Sequence, residues 1–492
     1  MIPTTMYRKT SKFRRRTELT LVYSIMTLSV VLLVAVLVLV MQGYRFNKFD
    51  GKVEQGGLLQ YNSQPTGGTV FLNDVKLGNQ TPNKITVSAG SHAVKMTKTG
   101  YVAWKKNVTV EPGGILWLNY TRFIPEKREV KPVIEFANLS DAVISPDRKL
   151  ALVKDVPSTL EATLVTLDTD SPEQTKIAFD PALIATADDP ASRRFSFDSW
   201  DLNNRYVLTK YTYDVDKVQW LVVDVRDRKV ANNLTSELGV NVKDVQFVLG
   251  NNRALYVLNN DNELRRVELG SKTLSGPLLS NVTEFNQFDR NTVVYTTGID
   301  DTTKKRSVGY LTNGASKSRV LQSFADNGTA PLMASIGRYF NENYVAIAYG
   351  ETVSLAMGDL PASDSNAGSA LKQVATISLP GGVTHLDFSP GENRHLYAQN
   401  ATSLVNYDIE LASSSSTMFK DAQPKEVAWL DRYHFANTAG ARVMLYEFDG
   451  QNPIEMATNT VDLPVSFSAN DRYFYLFTSG DKPALSRIDL EI

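Results

Sequence analysis

The chain of 492 residues contains no cysteine. A disulfide framework and any thiolate zinc site are therefore excluded. Zero cysteine also suits a bacterial envelope protein. Only four histidines occur, His92, His385, His395 and His434. Nucleophilic sets that need a histidine base have few ways to form. No G-x-S-x-G, H-E-x-x-H, Walker loop or G-x-G-x-x-G is present. Neither sign of charge dominates: the net charge is −1, and 21% of residues are charged. That balance argues against a nucleic-acid partner. Helical periodicity is nearly absent in the long C-terminal part, which counts against a helical solenoid.

One apolar run stands out, Leu19 to Met41, with no charged residue. As a helix it is about 35 Å long, enough for a hydrocarbon core of about 30 Å. It has no polar face, which argues against a buried core helix. Arg8, Lys9, Lys12, Arg14, Arg15 and Arg16 precede it, whereas Arg45, Lys48 and Lys52 follow. Cations stay on the cytoplasmic side. The expectation is a basic cytoplasmic tail at 1–18, too short for a catalytic domain. A single-pass anchor in the cell membrane follows at 19–41, then a linker at 42–55 and an extracytoplasmic body. Contact of the tail with anionic lipid is a minor addition. The competing account is a cleaved signal peptide. Its apolar region runs about 7–15 residues and ends in small residues; this run is longer and continues into Val40-Met41-Gln42-Gly43-Tyr44.

Residues 56–125 read as a small antiparallel β-sandwich. Thr69–Asn73, Lys84–Ser88, His92–Thr97, Val102–Val110 and Ile115–Arg122 are its strands, bounded by Gly, Asn and Pro. Tyr101, Trp104 and Trp117 are the expected core, and His92 reads as a satisfied turn or core histidine. Four ordered motifs occur: Pro65-Thr66-Gly67-Gly68, Gly78-Asn79-Gln80-Thr81-Pro82, Gly90-Ser91-His92 and Gly100-Tyr101. In these the segment resembles the PEGA domain family, departing mildly at Gly68, where Ala is usual. The resemblance implies an extracytoplasmic β module, often tethered to a membrane, and no activity.

From about Lys131 a repeat sets in. An apolar or aromatic residue, a polar turn and an apolar strand recur from Ile144, Trp200, Val248, Phe288, Phe340, Phe388, Trp429 and Phe467. A second strand trails each, often ending in an acid, as at Asp168, Asp224, Glu268, Asp408, Glu447 and Asp489. Eight copies over about 360 residues give roughly 45 each, the length of a four-stranded propeller blade. The last copy stops after its third strand, while Lys131–Phe136 stands alone before the first. Pairing the two would close a ring and remove two sheet edges. The fold expected for 131–492 is thus an all-β propeller with eight blades, or seven and one degenerate copy. Segments 171–194 and 301–330 read as longer loops or outer-strand insertions; Ser413–Ser416 and Ser363–Gly368 read as exposed loops. Ser145-Pro146-Asp147 and Ser389-Pro390-Gly391 resemble the turns of WD-repeat-like and Tol-associated propellers, a match to architecture only. Trp200-Asp201 lies in the turn, not where a WD repeat places its dipeptide.

Clustered oxygens at Asp168-Thr169-Asp170 and Asn259–Glu263 lack the Gly and distal Glu of a calcium loop, so they read as turn residues. The 21 Tyr, 21 Phe and 5 Trp fall mostly where blade cores need them. No catalytic, cofactor-binding or metal residue is singled out, and no cofactor is expected. The function expected is a non-enzymatic, membrane-anchored envelope protein. Its propeller would present a face to a protein or a cell-wall or surface glycan. The alternative is an extracytoplasmic hydrolase or lyase, marked by convergent carboxylates or a His–acid pair on the propeller axis.

Overall fold

The computed structural model describes residues 12–41, 43–46, 53–314, 317–325, 328–361 and 370–491. Arg8, Lys9, Lys48, Lys52 and Ser363–Gly368 lie outside the described residues. The chain divides into two compact units, Met1–Glu126 and Lys127–Ile492.

The first unit opens with the helix Lys12–Met41. Within it, Arg16–Met41 is long and apolar enough to cross a membrane, with a mean hydropathy of 2.9. Protein covers none of that window, and Leu21, Tyr23 and Leu28 all point outward. Two of its hydroxyls are bonded locally: Thr20 and Thr27 donate to the carbonyls of Arg16 and Tyr23 at 2.9 and 2.8 Å. That local bond lets a polar side chain sit in hydrocarbon without an orphaned donor.

Two four-stranded sheets follow. One holds Tyr44–Phe46, Val53–Gln64, Asn83–Ser88 and Ile115–Arg122; the other holds Thr69–Leu72, Val75–Gln80, Gly90–Thr97 and Trp104–Val110. Three expectations change here. The pairing is not all antiparallel, because Val53–Gln64 runs parallel to Ile115–Arg122 (Leu59↔Leu116). Nor is 42–55 simply a linker, since Tyr44–Phe46 pairs with Val53–Gln55. Trp117 is not core: it is 43% exposed, because strand alternation turns Leu116 and Leu118 inward instead. Tyr101 and Trp104 are buried as expected.

The motif residues have local jobs. Thr81 Oγ1 accepts the Gly68 N–H at 2.8 Å and bonds Ser63 Oγ at 2.6 Å. His92 is buried; its Nε2–H donates to the Ser88 carbonyl at 2.7 Å, and its Nδ1 accepts from Asn73 Nδ2 at 3.0 Å. Both ring nitrogens are therefore used by neutral imidazole. Gly68 has a steric reason for departing from Ala: a Cβ there would meet the Phe123 ring at 2.6 and 2.7 Å. Phe123 is 1% exposed and cannot retreat into solvent. Gly68→Ala is expected to lower unfolding stability by about 1–3 kcal/mol, read from the denaturant midpoint of the isolated 43–126 segment.

The second unit is a β-propeller: eight four-stranded antiparallel sheets succeed one another along the chain. The first comprises Asp141–Ile144, Leu150–Lys154, Glu161–Thr166 and Gln174–Ala178. The eighth takes Ser466–Phe467, Tyr473–Thr478 and Ala484–Asp489, and its fourth strand is Val130–Glu135 from before the first sheet. Leu485 faces Ile134, and Ile488 faces Val130. Ion pairs Lys131–Asp489 (2.7 Å) and Lys482–Glu135 (3.0 Å) flank this closure. Strand Ser413–Met418 is the outer strand of the sixth sheet, not a loop. Likewise 301–330 is no insertion, for it carries Lys305–Thr312 and Arg319–Ala325, the third and fourth strands of the fourth sheet.

The repeat is explained by its turns. The residue after the apolar position, or in the seventh sheet the second residue after Trp429, accepts the amides that close the first turn. Ser145 Oγ takes Leu150 N (2.9 Å), Asp201 Oδ1 takes Tyr206 N (2.6 Å), and Asp289 and Asp431 do the same for Thr292 and His434. Only short acceptor side chains can do this, hence the recurring Ser and Asp. In the fifth sheet the frame differs by one. Tyr339 takes the buried position, and Phe340 sits on the turn, 81% exposed at φ +50°.

Candidate functional site

First strands of neighbouring sheets approach one another, as Asp141–Ile144 does Arg194–Trp200 and Leu332–Tyr339 does His385–Phe388. These first strands carry acids. Asp141, Asp198, Asp244, Glu284 and Asp387 lie on them, and Glu426 lies just before Ala428–Trp429. None of the six forms an ion pair among the described residues. The acids that end third strands differ sharply. Asp224 takes Arg205 at 2.7 Å and caps Arg226 and Asp227; Asp408 takes Arg394 at 2.8 Å and caps Glu410 and Leu411. Those acids are structural. The inner six form no such ion pair.

Their environment is unusual in a second respect. Asp198, Glu284 and Glu426 are exposed, while Asp141, Asp244 and Asp387 are intermediate. Yet lost hydration is the first cause of a raised carboxyl pKa at all six. In a propeller the inner strands surround the central channel, and groups that water reaches while protein crowds them fit its wall. Like charges add to the effect: Asp198 acts on Asp244, Asp244 on Glu284, and Glu426 on Asp387. Asp387 is pushed up to about 6, although Ser335 Oγ donates to it at 2.7 Å and Phe388 N at 2.8 Å. The Tyr397 hydroxyl donates to Glu426, and burial, together with that carboxylate's charge, holds the phenol well above its ordinary pKa. Asp141 accepts Phe197 N from the next sheet at 2.6 Å, which pins the first two sheets together.

Two cavities open along these strands. One of ≈370 Å³ lies among the second, third and fourth sheets, lined by Asp198, Trp200, Asp244, Gln246 and Gln287. Its wall is cross-braced: Gln287 Nε2 donates to the Phe247 carbonyl (2.6 Å), and its Oε1 accepts Leu249 N (3.0 Å). The other, of ≈500 Å³, gathers first-strand ends of the first, seventh and eighth sheets with the Pro390-Gly391 turn of the sixth, and Trp429 lies in its wall. Both meet the first-turn face of the propeller, where Leu202 (57% exposed) and Phe340 also stand free.

The histidines do not assemble a nucleophilic set. His395 is fully buried and stacks on Phe448 at 4.3 Å, and His434 Nδ1 lies 2.9 Å from Asp431 in a turn. His385 shares a first strand with Asp387, and burial lowers its pKa. The clustered oxygens act as turn and inter-sheet links. Asn259 Oδ1 accepts Glu263 N at 2.8 Å, and Asp170 pairs with Arg472 at 3.2 Å, joining the first and eighth sheets. No group of three or more His, Asp or Glu suited to a metal occurs among the described residues. The sequence reading named no site residue and missed the inner acids. Their signal was an acid one to four residues before the apolar position of the repeat.

Comparison with known proteins gives three findings. Residues 57–122 match the PEGA domain family. No curated protein matches the chain. Among solved structures, apo AztD from Citrobacter koseri is 12% identical, with 87% of this chain and 100% of that one covered at a TM-score of 0.38. The Cps50 (Swd1) beta-propeller domain of Myceliophteria thermophila is 11% identical, covering 67% and 98% at 0.41. An oligogalacturonate lyase in complex with manganese is 14% identical, covering 58% and 86% at 0.37. Residues 57–122 are a PEGA domain, and a β-propeller follows it in the same chain.

Proposed function

We propose that this is a single-pass membrane protein whose PEGA domain and propeller lie outside the cytoplasm, and that the propeller binds a partner without catalysis. The partner is a protein or a cell-wall or surface glycan. The cations before the apolar helix support the orientation. One observation carries the binding role: the inner carboxylates form no ion pair among the described residues, and Lys210, Lys243 and Lys425 act on three of them only from a distance, whereas third-strand acids such as Asp224 and Asp408 are paired. A partly desolvated, incompletely neutralised acidic field acts on whatever enters the channel. Apolar side chains free on the first-turn face add contact area.

A second reading stays open on a specific observation. Asp387 and Glu426 are neighbouring acids with raised proton affinity, as general acid–base chemistry on a glycan would use. One experiment separates the two. The detergent-purified chain is incubated with muropeptides and surface glycans, and binding and turnover are read together. Saturable binding with unchanged ligand is the expected result. Turnover abolished by Asp387→Asn would replace binding with catalysis. Protease added to intact cells is expected to digest the propeller; protection until lysis would overturn the orientation.

A further inference from the structure

The cavity among the second, third and fourth sheets holds three functional groups whose hydrogen-bonding capacity the fold does not fill. Asp198 and Asp244 have no ion-pair partner among the described residues. Asp198 accepts from its neighbour Ser199 at 2.7 Å, and Asp244 accepts Val245 N at 2.8 Å. Each carboxylate therefore keeps acceptor capacity. The third group is of opposite character. Trp200 is only 7% exposed, lines this cavity, and its indole Nε1–H has no acceptor. Trp220 provides the contrast, with its Nε1–H bonded to the Val242 carbonyl at 3.2 Å. A buried donor without a partner is costly, and an acceptor brought by a ligand would relieve that cost.

Much of the rest of the wall is occupied. Gln246 Nε2 donates to the Phe285 carbonyl at 3.2 Å, Gln287 is held at both ends, and Asn252 Nδ2 donates to Asp201 at 3.1 Å. These braces fix the cavity and leave its recognition to Asp198, Asp244 and Trp200. Two carboxylates ask for a cation with several N–H donors. One indole N–H asks for a neutral acceptor close to that cation. A simple polyamine satisfies only the first demand, and an N-acetylated sugar only the second. A hexosamine with a free amino group satisfies both, with its ammonium between the carboxylates and a ring or hydroxyl oxygen at the indole. The volume of ≈370 Å³ lies within the usual range for small-ligand pockets, about 300–1,000 Å³.

We infer that the cavity bounded by Asp198, Trp200 and Asp244 binds an amine-bearing sugar, a glycan unit whose amino group is not acetylated. The inference rests on the proposed binding role and names the ligand class for it.

The test uses the full chain in detergent micelles, titrated calorimetrically with a glucosamine trimer, its fully N-acetylated form and spermidine. The free-amine trimer is expected to bind saturably, at least tenfold more tightly than either of the others. The Asp198→Asn/Asp244→Asn double variant should lose at least tenfold in affinity. Trp200→Phe keeps the ring and removes the N–H, and it should weaken the trimer severalfold while leaving spermidine unchanged. Thermal melts of both variants report folding separately from binding. Equal binding of the acetylated trimer, or spermidine binding as tightly as the free-amine trimer, would overturn the inference. So would trimer affinity unmoved by Trp200→Phe. Should no probe bind while the chain still binds a muropeptide, surface glycan or protein, the sugar assignment falls and the broader binding role stands.

Discussion

A propeller fragment begun at Ala137 is expected to lose cooperative folding that the fragment begun at Lys127 retains. The difference is the strand Val130–Glu135 and the residue after it. Ile134 and Phe136 are 7% and 8% exposed, packed with Tyr475, Phe477 and Leu485. Burying two such side chains is worth about 1.5–3 kcal/mol each. That sum, with the strand's backbone bonds, is a large part of the net stability of a domain, about 5–15 kcal/mol. Deletion also leaves Ala484–Asp489 as a bare edge, a template for pairing between molecules. Urea melts and size-exclusion profiles of the two fragments check the prediction. The longer should be monomeric with one sharp transition; the shorter should aggregate or melt at far lower urea. A peptide spanning 127–137, added in excess, should restore part of the loss. Identical midpoints would show that the closing strand holds nothing.

That closing strand was legible because the sequence counts strands: three in the last copy and one before the first. The turns were legible for a local reason, since Ser or Asp after the apolar position can accept the amides of its own turn whatever the remote surroundings. Where two alternatives coexist locally, tertiary packing decides. Ile115–Arg122 has apolar residues on both parities, and only the position of the second sheet selects Leu116 and Leu118 over Trp117. Tyr339 and Phe340 are adjacent aromatics, and the turn at Phe340 settles which is buried. Serines 413–416 look like a loop because an outer strand has little to bury, so its composition says nothing of its pairing. The parallel pairing of Val53–Gln64 with Ile115–Arg122 links segments far apart in sequence and leaves no local trace. The inner acids were hidden differently. Their offset from the apolar position varies from one residue, Asp387 before Phe388, to four, Glu284 before Phe288. No fixed spacing marks them, and only ring closure brings them around one channel.

Lys154→Met is expected to lose, relative to the parent chain, a stability contribution that grows between pH 8 and pH 10. Lys154 is fully buried in the first sheet. Its ammonium donates to the Thr159 carbonyl and hydroxyl, at 2.6 and 2.8 Å, and to the Glu161 carbonyl; the Phe179 and Phe195 rings lie 5.6 and 5.2 Å away. Those contacts hold the charge in place, but lost hydration outweighs the pull of Glu161 and lowers the pKa from 10.5 to about 8. Below pH 8 the folded and unfolded chains both carry the proton. Between pH 8 and 10.5 the unfolded chain carries more of it, so folding stability rises with pH. At 1.36 kcal/mol per unit, the rise from pH 8 to pH 10 is about 2 kcal/mol. Buried tyrosines such as Tyr211 and Tyr475 act in the opposite sense, resisting ionisation in the folded state as the pH nears 10; parent and variant share that loss, so only the difference between them reports Lys154. Methionine fills similar volume and does not titrate. It also strips donors from the Thr159 and Glu161 carbonyls, at about 1–3 kcal/mol for each left unsatisfied. The variant's neutral-pH stability therefore mixes two opposing effects, whereas its pH slope reports one. Denaturant melts of the 127–492 fragment at pH 7.5, 8, 9 and 10 should show the parent gaining on the variant by about 2 kcal/mol across the upper range. Parallel curves would mean that the buried ammonium keeps its ordinary proton affinity, with its three acceptors compensating fully for the hydration it gave up.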